Sequence, residues 1–214
     1  VRVPGRSRLT TNLDIVTADV RDRDRDRYLS VLYAPEAVRP ALLALHGLDL
    51  ELGQVVAGTT DAMIGEIRLA WWREALEGLD AGRVPAQPLL ALIAAEVLPR
   101  GIAGCELAGL EDRWIGLIGA DDVPAAHVAG AGLLFALIAR LLGGDARVAG
   151  RLGEAWVLGE ADALPKIPVP LRPLLGLARL SVRDADRARA GLPREVRGNL
   201  ARQWRLLRAI ALGR

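Results

Sequence analysis

The chain has 214 residues, of which 51% are hydrophobic and 25% charged, with a formal net charge of +2. That length buries a substantial core, and the composition is that of an ordinary globular domain; a patch for acidic partners is the lesser reading, one that a clustered basic face would raise. Cys105 is the single cysteine, which excludes an internal disulfide and a cysteine-based metal site and makes a reducing, cytoplasmic setting the expectation.

The opening stretch carries Arg2, Arg6 and Arg8 with no apolar run behind them, so it reads as a loosely ordered segment over 1–21 and not as a secretory signal. Asp22 to Tyr33 reads as a helix with a charged start, broken at Ala34-Pro35. From Ala37 to Val56 the residues Val38, Leu42, Leu45, Leu48, Leu52 and Val55 recur at helical spacing, predicting a buried stripe. Gly58 ends that helix and Thr59 or Thr60 is placed to cap the next. There Met63, Ile64, Ile67, Trp71, Ala75 and Leu76 are expected on one face.

Pro88 opens a short helix to Val97. Leu107 to Ile118 is helical again. Pro124 starts a helix to Leu142, whose apolar part is interrupted by Arg140 and is short for a bilayer span, so the expectation is a soluble or peripheral protein. Gly130-Ala131-Gly132 inside it reads as a site of close helix approach. Val148 to Leu164 is one more helix. Pro165, Pro168, Pro170 and Pro173 predict a surface linker. Leu174–Leu180 reads as a short helix, Asp184–Arg197 as a charged connection, and Asn199–Leu212 as a final helix. No segment alternates like a strand. The expected fold class is all-α: a single-domain antiparallel helical bundle, with 22–164 as its body and 165–214 packed on it.

Two runs carry a resemblance. One is Asp24-Arg25-Asp26-Arg27-Tyr28 with Leu32-Tyr33-Ala34-Pro35 and Arg39-Pro40-Ala41-Leu42-Leu43-Ala44-Leu45. The other is Ile64-Gly65-Glu66-Ile67-Arg68-Leu69-Ala70-Trp71-Trp72-Arg73-Glu74-Ala75-Leu76. Together they resemble the squalene/phytoene synthase family of head-to-head prenyltransferases, most strongly over 24–92 and more faintly to about Leu164. The resemblance implies an isoprenoid-synthase-like helical fold with a central cavity. It also implies two aspartate-rich motifs that hold Mg²⁺ on the substrate diphosphates, with carboxylates at i and i+4 on one helical face.

Those motifs are missing. The first falls on Gly53-Gln54-Val55-Val56-Ala57, with Asp49 and Glu51 nearby but two positions apart and so on different faces. The second falls on Glu160 to Leu164, where Leu164 stands four residues after Glu160 and Asp162 points elsewhere. The run Gly47-Leu48-Asp49-Leu50-Glu51-Leu52-Gly53-Gln54-Val55 instead resembles a divergent branch of the family, the respiratory complex I assembly factors that carry a squalene/phytoene synthase domain. That likeness implies a non-catalytic protein with no required cofactor, an assembly or chaperone role, and a respiratory-complex subunit or other protein as partner. The C-terminal side is short for a full synthase.

The residues that such a cavity would use, for an apolar isoprenoid-like ligand or a diphosphate, are Arg25, Tyr28, Tyr33, Arg39, Asp49, Glu51, Gln54, Arg68 and Trp71. Each also has a plainer reading as a solvated helix face or as core, and of Trp71-Trp72 at most one can line a cavity, since neighbours on a helix diverge by about 100°. His46 and His127 lack metal-ligand spacing. Arg194, Arg197, Arg202, Arg205, Arg208 and Arg214 with Trp204 make the C-terminal helix basic and amphipathic. A peripheral membrane contact through Arg202, Trp204, Arg205 and Arg208 is one reading and a solvated face the other. No nucleic-acid module is present. Three expectations stand side by side: a non-catalytic family member at the inner membrane; an active prenyltransferase using Mg²⁺ with arginines such as Arg25, Arg39 or Arg68; and a helical interaction module without ligand.

Overall fold

The computed structural model describes residues 4–160, 167–193, 195–196 and 198–213, with side chains from residue 9 onward. It is an all-α helical bundle, with no strand among the described residues. The helices are α1 (Pro4–Arg23), α2 (Arg25–Leu32), α3 (Arg39–Ala57), α4 (Ala62–Asp80), α5 (Pro88–Glu96), α6 (Gly104–Ala108), α7 (Glu111–Ile115), α8 (Ala125–Leu142), α9 (Ala146–Leu158), α10 (Arg172–Arg189) and α11 (Leu200–Leu212). Contacts gather into two compact units, each drawn from two stretches: Val1–Arg23 with Pro40–Gly130, and Asp24–Arg39 with Ala131–Arg214. This is a finer division than the single domain expected.

In the first unit the predicted α3 stripe is buried, with Leu42, Leu45, Leu48, Leu52 and Val55 each at most 2% exposed. The expectation of a loose segment over 1–21 is corrected, because the backbone is helical from Pro4. Leu13, Val16 and Val20 recur at helical spacing behind the basic residues, and Val16 and Val20 are buried. They close on Gly47 of α3, where a Cβ would stand 3.3 Å from Val16 and 3.6 Å from Val20.

The α4 face is also corrected. Gly65, Leu69, Trp72, Leu76 and Leu79 turn inward, while Met63, Ile64, Ile67 and Trp71 are exposed. Both sets have helical spacing, and only packing chooses between them. The cap of α4 is Asp61, which accepts from the Met63 N–H at 2.9 Å, and not Thr59 or Thr60. The helix expected over 107–118 is broken into α6 and α7. Asp80 starts α6 by accepting from the N–H groups of Gly104 and Cys105. Those two bonds hold its carboxyl below the ordinary range, with desolvation opposing.

In the second unit, Asp24 caps α2 by accepting from the Asp26 and Arg27 N–H groups. Asp145 caps α9, and Asn199 caps α11. The close approach expected at 130–132 is seen: a Cβ on Gly153 would lie 2.2 Å from the Ala131 carbonyl oxygen, so α8 and α9 touch backbone to backbone there. The surface linker is corrected in part. Pro165 lies outside the described residues, but Ile167 and Leu171 are buried. A 3-10 turn over Val169–Leu171 leads into α10, with Pro173 in its first turn, a position that needs no N–H. Leu174–Leu180 is then the buried start of an 18-residue helix. Leu180, Leu206 and Ile210 close a small core with Leu29.

By length and hydropathy α8 is long and apolar enough to cross a bilayer, and half of that window is buried in the protein, as in a core helix.

Candidate functional site

Asp49 stands near the middle of α3, fully buried. Arg113 of α7 donates to its Oδ1 at 2.8 Å, and the Trp114 indole N–H donates to the same oxygen at 3.0 Å. Four residues on, at i+4 and so on the same face, is Gly53. A Cβ there would meet the Trp114 ring at 2.8 Å. One indole therefore bonds the carboxylate at 49 and fills the space a carboxylate at 53 would need. The ring is itself held. His127 packs edge-on to it, with centroids 5.1 Å apart, and Arg113 lies 4.8 Å over its face. The Nδ1 of His127 lies 3.0 Å from the Arg113 carbonyl oxygen. Burial first, and the Arg113 charge second, hold the His127 imidazolium pKa below its ordinary value.

Glu51 points another way. Arg23 of α1 donates to its Oε1, to Asp19 and to the Leu50 carbonyl oxygen. Glu51 lines a groove of about 210 Å³ with Ile15, Val16, Asp19, Gly47 and Leu89. Arg73 of α4 bridges Glu111 and Asp112, and these two carboxylates raise its pKa against the desolvation of its site.

The other sequence candidates do not gather around Asp49. Gln54, Arg68 and Trp71 are exposed, and Trp71 meets Trp72 edge to face at 5.2 Å while Trp72 is the buried one. In the second unit Arg25 and Tyr33 are exposed and Tyr28 half-buried, while Arg39 donates to the Ala34 carbonyl oxygen at 2.9 Å. Of the second motif stretch, Glu160 is exposed, and Asp162 and Leu164 lie outside the described residues. No group of three or more His, Cys, Asp or Glu residues able to hold a metal ion occurs among the described residues.

The C-terminal arginines separate by rotation. Positions three apart on a helix differ by about 60°, so Arg205 and Arg208 stay on one side of α11 while Arg202 lies about 120° round from Arg208. Arg202 turns inward, and its side chain is 3% exposed. It donates to Asp26 of α2 at 2.8 Å and, through both terminal nitrogens, to Asp184 of α10. Its burial opposes the charge, and the two carboxylates outweigh that and raise its pKa. The membrane contact expected through Arg202 is thus corrected, for its charge is spent inside the unit. Trp204 is exposed. Arg205 bonds Glu195 at 2.7 and 2.8 Å. Arg194, Arg197 and Arg214 lie outside the described residues.

Sequence reasoning missed Arg23, Arg113 and Trp114 as the groups that claim the α3 carboxylates. The one signal was the Glu111-Asp112-Arg113-Trp114 run itself, in which an arginine and an indole N–H sit side by side.

Residues 20–101 match the squalene/phytoene synthase family model. The particular relatives are assembly factors. The chain is 31% identical over 70 residues to the human "NADH dehydrogenase (ubiquinone) complex I, assembly factor 6", covering 33% of this chain and 21% of that one. It is 33% identical over the same length to the rat protein of that name and 31% to the mouse protein. The chain thus spans about a fifth of the length of the curated relatives it matches. No solved structure matches it. The resemblance to the family, and to its complex I assembly-factor branch, is borne out.

Proposed function

We propose that this chain is a non-catalytic squalene/phytoene synthase-like protein with an assembly role, working through a protein partner of the respiratory complex I system at the cytoplasmic face of the inner membrane. The observation that carries this reading is the Trp114 indole over Asp49 and Gly53. Mg²⁺ bound to diphosphate needs several oxygen ligands free to coordinate it. Here Asp49 accepts two strong hydrogen bonds inside the protein, Glu51 is paired with Arg23, and position 53 has neither a carboxylate nor room for one. The residues of α3 do not fit a Mg²⁺–diphosphate group, and no catalytic step is derived through it.

A partner surface is available on α4. Met63 is 68% exposed, Ile67 63% and Trp71 48%, and the three share one face at i, i+4 and i+8. Exposed apolar stripes of this kind are what protein interfaces cover.

Two experiments test the reading. Incubation with farnesyl or geranylgeranyl diphosphate and Mg²⁺ is expected to give no condensation product; product formation abolished by Glu51→Ala overturns it. In cells, tagged chain is expected to recover respiratory complex I subunits and Ile67→Glu to lose them with the fold unchanged by circular dichroism. Normal complex I assembly in cells deleted for the chain also overturns the reading.

A further inference from the structure

In the second unit, α10 and α11 leave a cleft of about 550 Å³ lined by Arg179, Leu180, Arg183, Arg205, Arg208, Ala209 and Leu212. The four guanidiniums come from matching turns of the two helices: Arg179 and Arg183 are i and i+4 on α10, and Arg205 and Arg208 are i and i+3 on α11. Both spacings put side chains on one face.

Their charge is only partly answered. Arg183 and Arg205 share Glu195, at 3.4 and 2.7 Å, and Arg187 reaches the same carboxylate at 3.9 Å. Desolvation pushes the Glu195 carboxyl up, but the Arg205 and Arg183 charges outweigh it and leave it below its ordinary value. Glu195 stands in the connection between α10 and α11, and the carboxylates of α10 itself are engaged elsewhere, Asp184 with Arg202 and Asp186 with Arg189. Among the described residues Arg208 has no ion pair and the buried Nε of Arg179 has no hydrogen-bond partner. A desolvated N–H without an acceptor is costly, and the side chain that carries it lines the cleft. The walls beside the arginines are apolar, Leu180 and Ala209 being buried and Leu212 half exposed at the end of α11.

We propose that the α10–α11 cleft is a phosphate-binding site, in which Arg179 and Arg208 hold a phosphate group and Arg183 and Arg205 complete its charge balance. Guanidinium forks match phosphate oxygens in geometry and charge. The apolar walls accept a carbon chain attached to that phosphate. The phosphate is either that of a small soluble anion or the headgroup of an anionic phospholipid, and the same four arginines serve both. The site lies wholly in the second unit and does not depend on the α3 carboxylates.

The test uses the full chain. Inorganic pyrophosphate binding is followed by calorimetry, and vesicle binding by co-sedimentation with phosphatidylcholine–phosphatidylglycerol mixtures against phosphatidylcholine alone. Saturable pyrophosphate binding without sedimentation identifies a soluble anion. Sedimentation with the anionic vesicles that pyrophosphate reverses identifies a headgroup. In either case Arg208→Gln, at an exposed position, is expected to weaken binding about tenfold, the scale of one charge-assisted hydrogen bond. Arg179→Gln is expected to do the same, and Glu195→Gln to tighten binding by removing the competing carboxylate. Absence of both forms of binding, or binding that Arg208→Gln and Arg179→Gln leave unchanged, overturns the proposal.

Discussion

The charged groups on α3 and those in the α10–α11 cleft differ in whether the protein has already answered them. Asp49 is closed off by Arg113 and the Trp114 indole, and Glu51 by Arg23. In the cleft, Arg183 and Arg205 share the one carboxylate of Glu195, while among the described residues Arg208 has no ion pair and the buried Nε of Arg179 no hydrogen-bond partner. A charge paired within its own unit holds the fold together, whereas one left over at a concave surface is available to a ligand.

The largest expected effect breaks the first half of that contrast. Arg113→Met leaves Asp49 buried without its cation, which typically costs about 3–5 kcal/mol. Urea denaturation measures it, and a loss under about 1 kcal/mol means that Asp49 is not held as described. Adding Asp49→Leu to Arg113→Met is expected to return much of the loss, since an apolar pair of similar volume is often neutral.

Next in size is Gly53→Ala. Overpacking against the Trp114 ring is expected to cost about 1–3 kcal/mol, more than the roughly 1 kcal/mol by which alanine favours a helix over glycine. In a Trp114→Ala background the sign reverses and the alanine stabilises. An unchanged sign in that double-mutant cycle removes the indole as the reason for glycine at 53.

A smaller effect is read against pH. The His127 pKa is lower folded than its ordinary 6.5, so the unfolded chain takes up its proton at higher pH. Its favourable contribution is complete above about 6.5 and is lost as pH falls from there through the folded-state value. His127→Phe is expected to flatten the stability profile in that window, and a profile identical to that of the parent chain contradicts the assignment.

The smallest expected stability change belongs to the other half of the comparison. Arg208→Gln is expected to stay within about 0.5 kcal/mol of the parent, as surface changes usually do, while its anion binding falls. A variant that loses both together makes Arg208 a structural residue after all.

Much of the helical architecture was legible from the sequence, because helical spacing of apolar residues needs no knowledge of neighbours. The α3 stripe and the close approach beside Gly132 are cases. Where two stripes had equal spacing, as Met63-Ile67-Trp71 and Leu69-Trp72-Leu76 do on α4, periodicity named the helix and could not name its buried face. The leading segment was misread for a related reason, its arginines masking Val16 and Val20. At the candidate site the sequence showed which residues were missing at 53–57. It did not show Trp114 in their place, because Asp49 and Trp114 are 65 positions apart and meet only when α7 lies on α3.

The sequence by itself determined that the chain is helical, that it resembles squalene/phytoene synthases and their complex I assembly-factor branch, and that α3 has no paired carboxylates at i and i+4. Those are properties of local spacing and residue type. Only the tertiary structure decided which charges are neutralised and which remain. Arg202, Arg205 and Arg208 are alike in sequence, and they part because an ion pair is settled by what another helix brings within about 4 Å, which no spacing along one helix records.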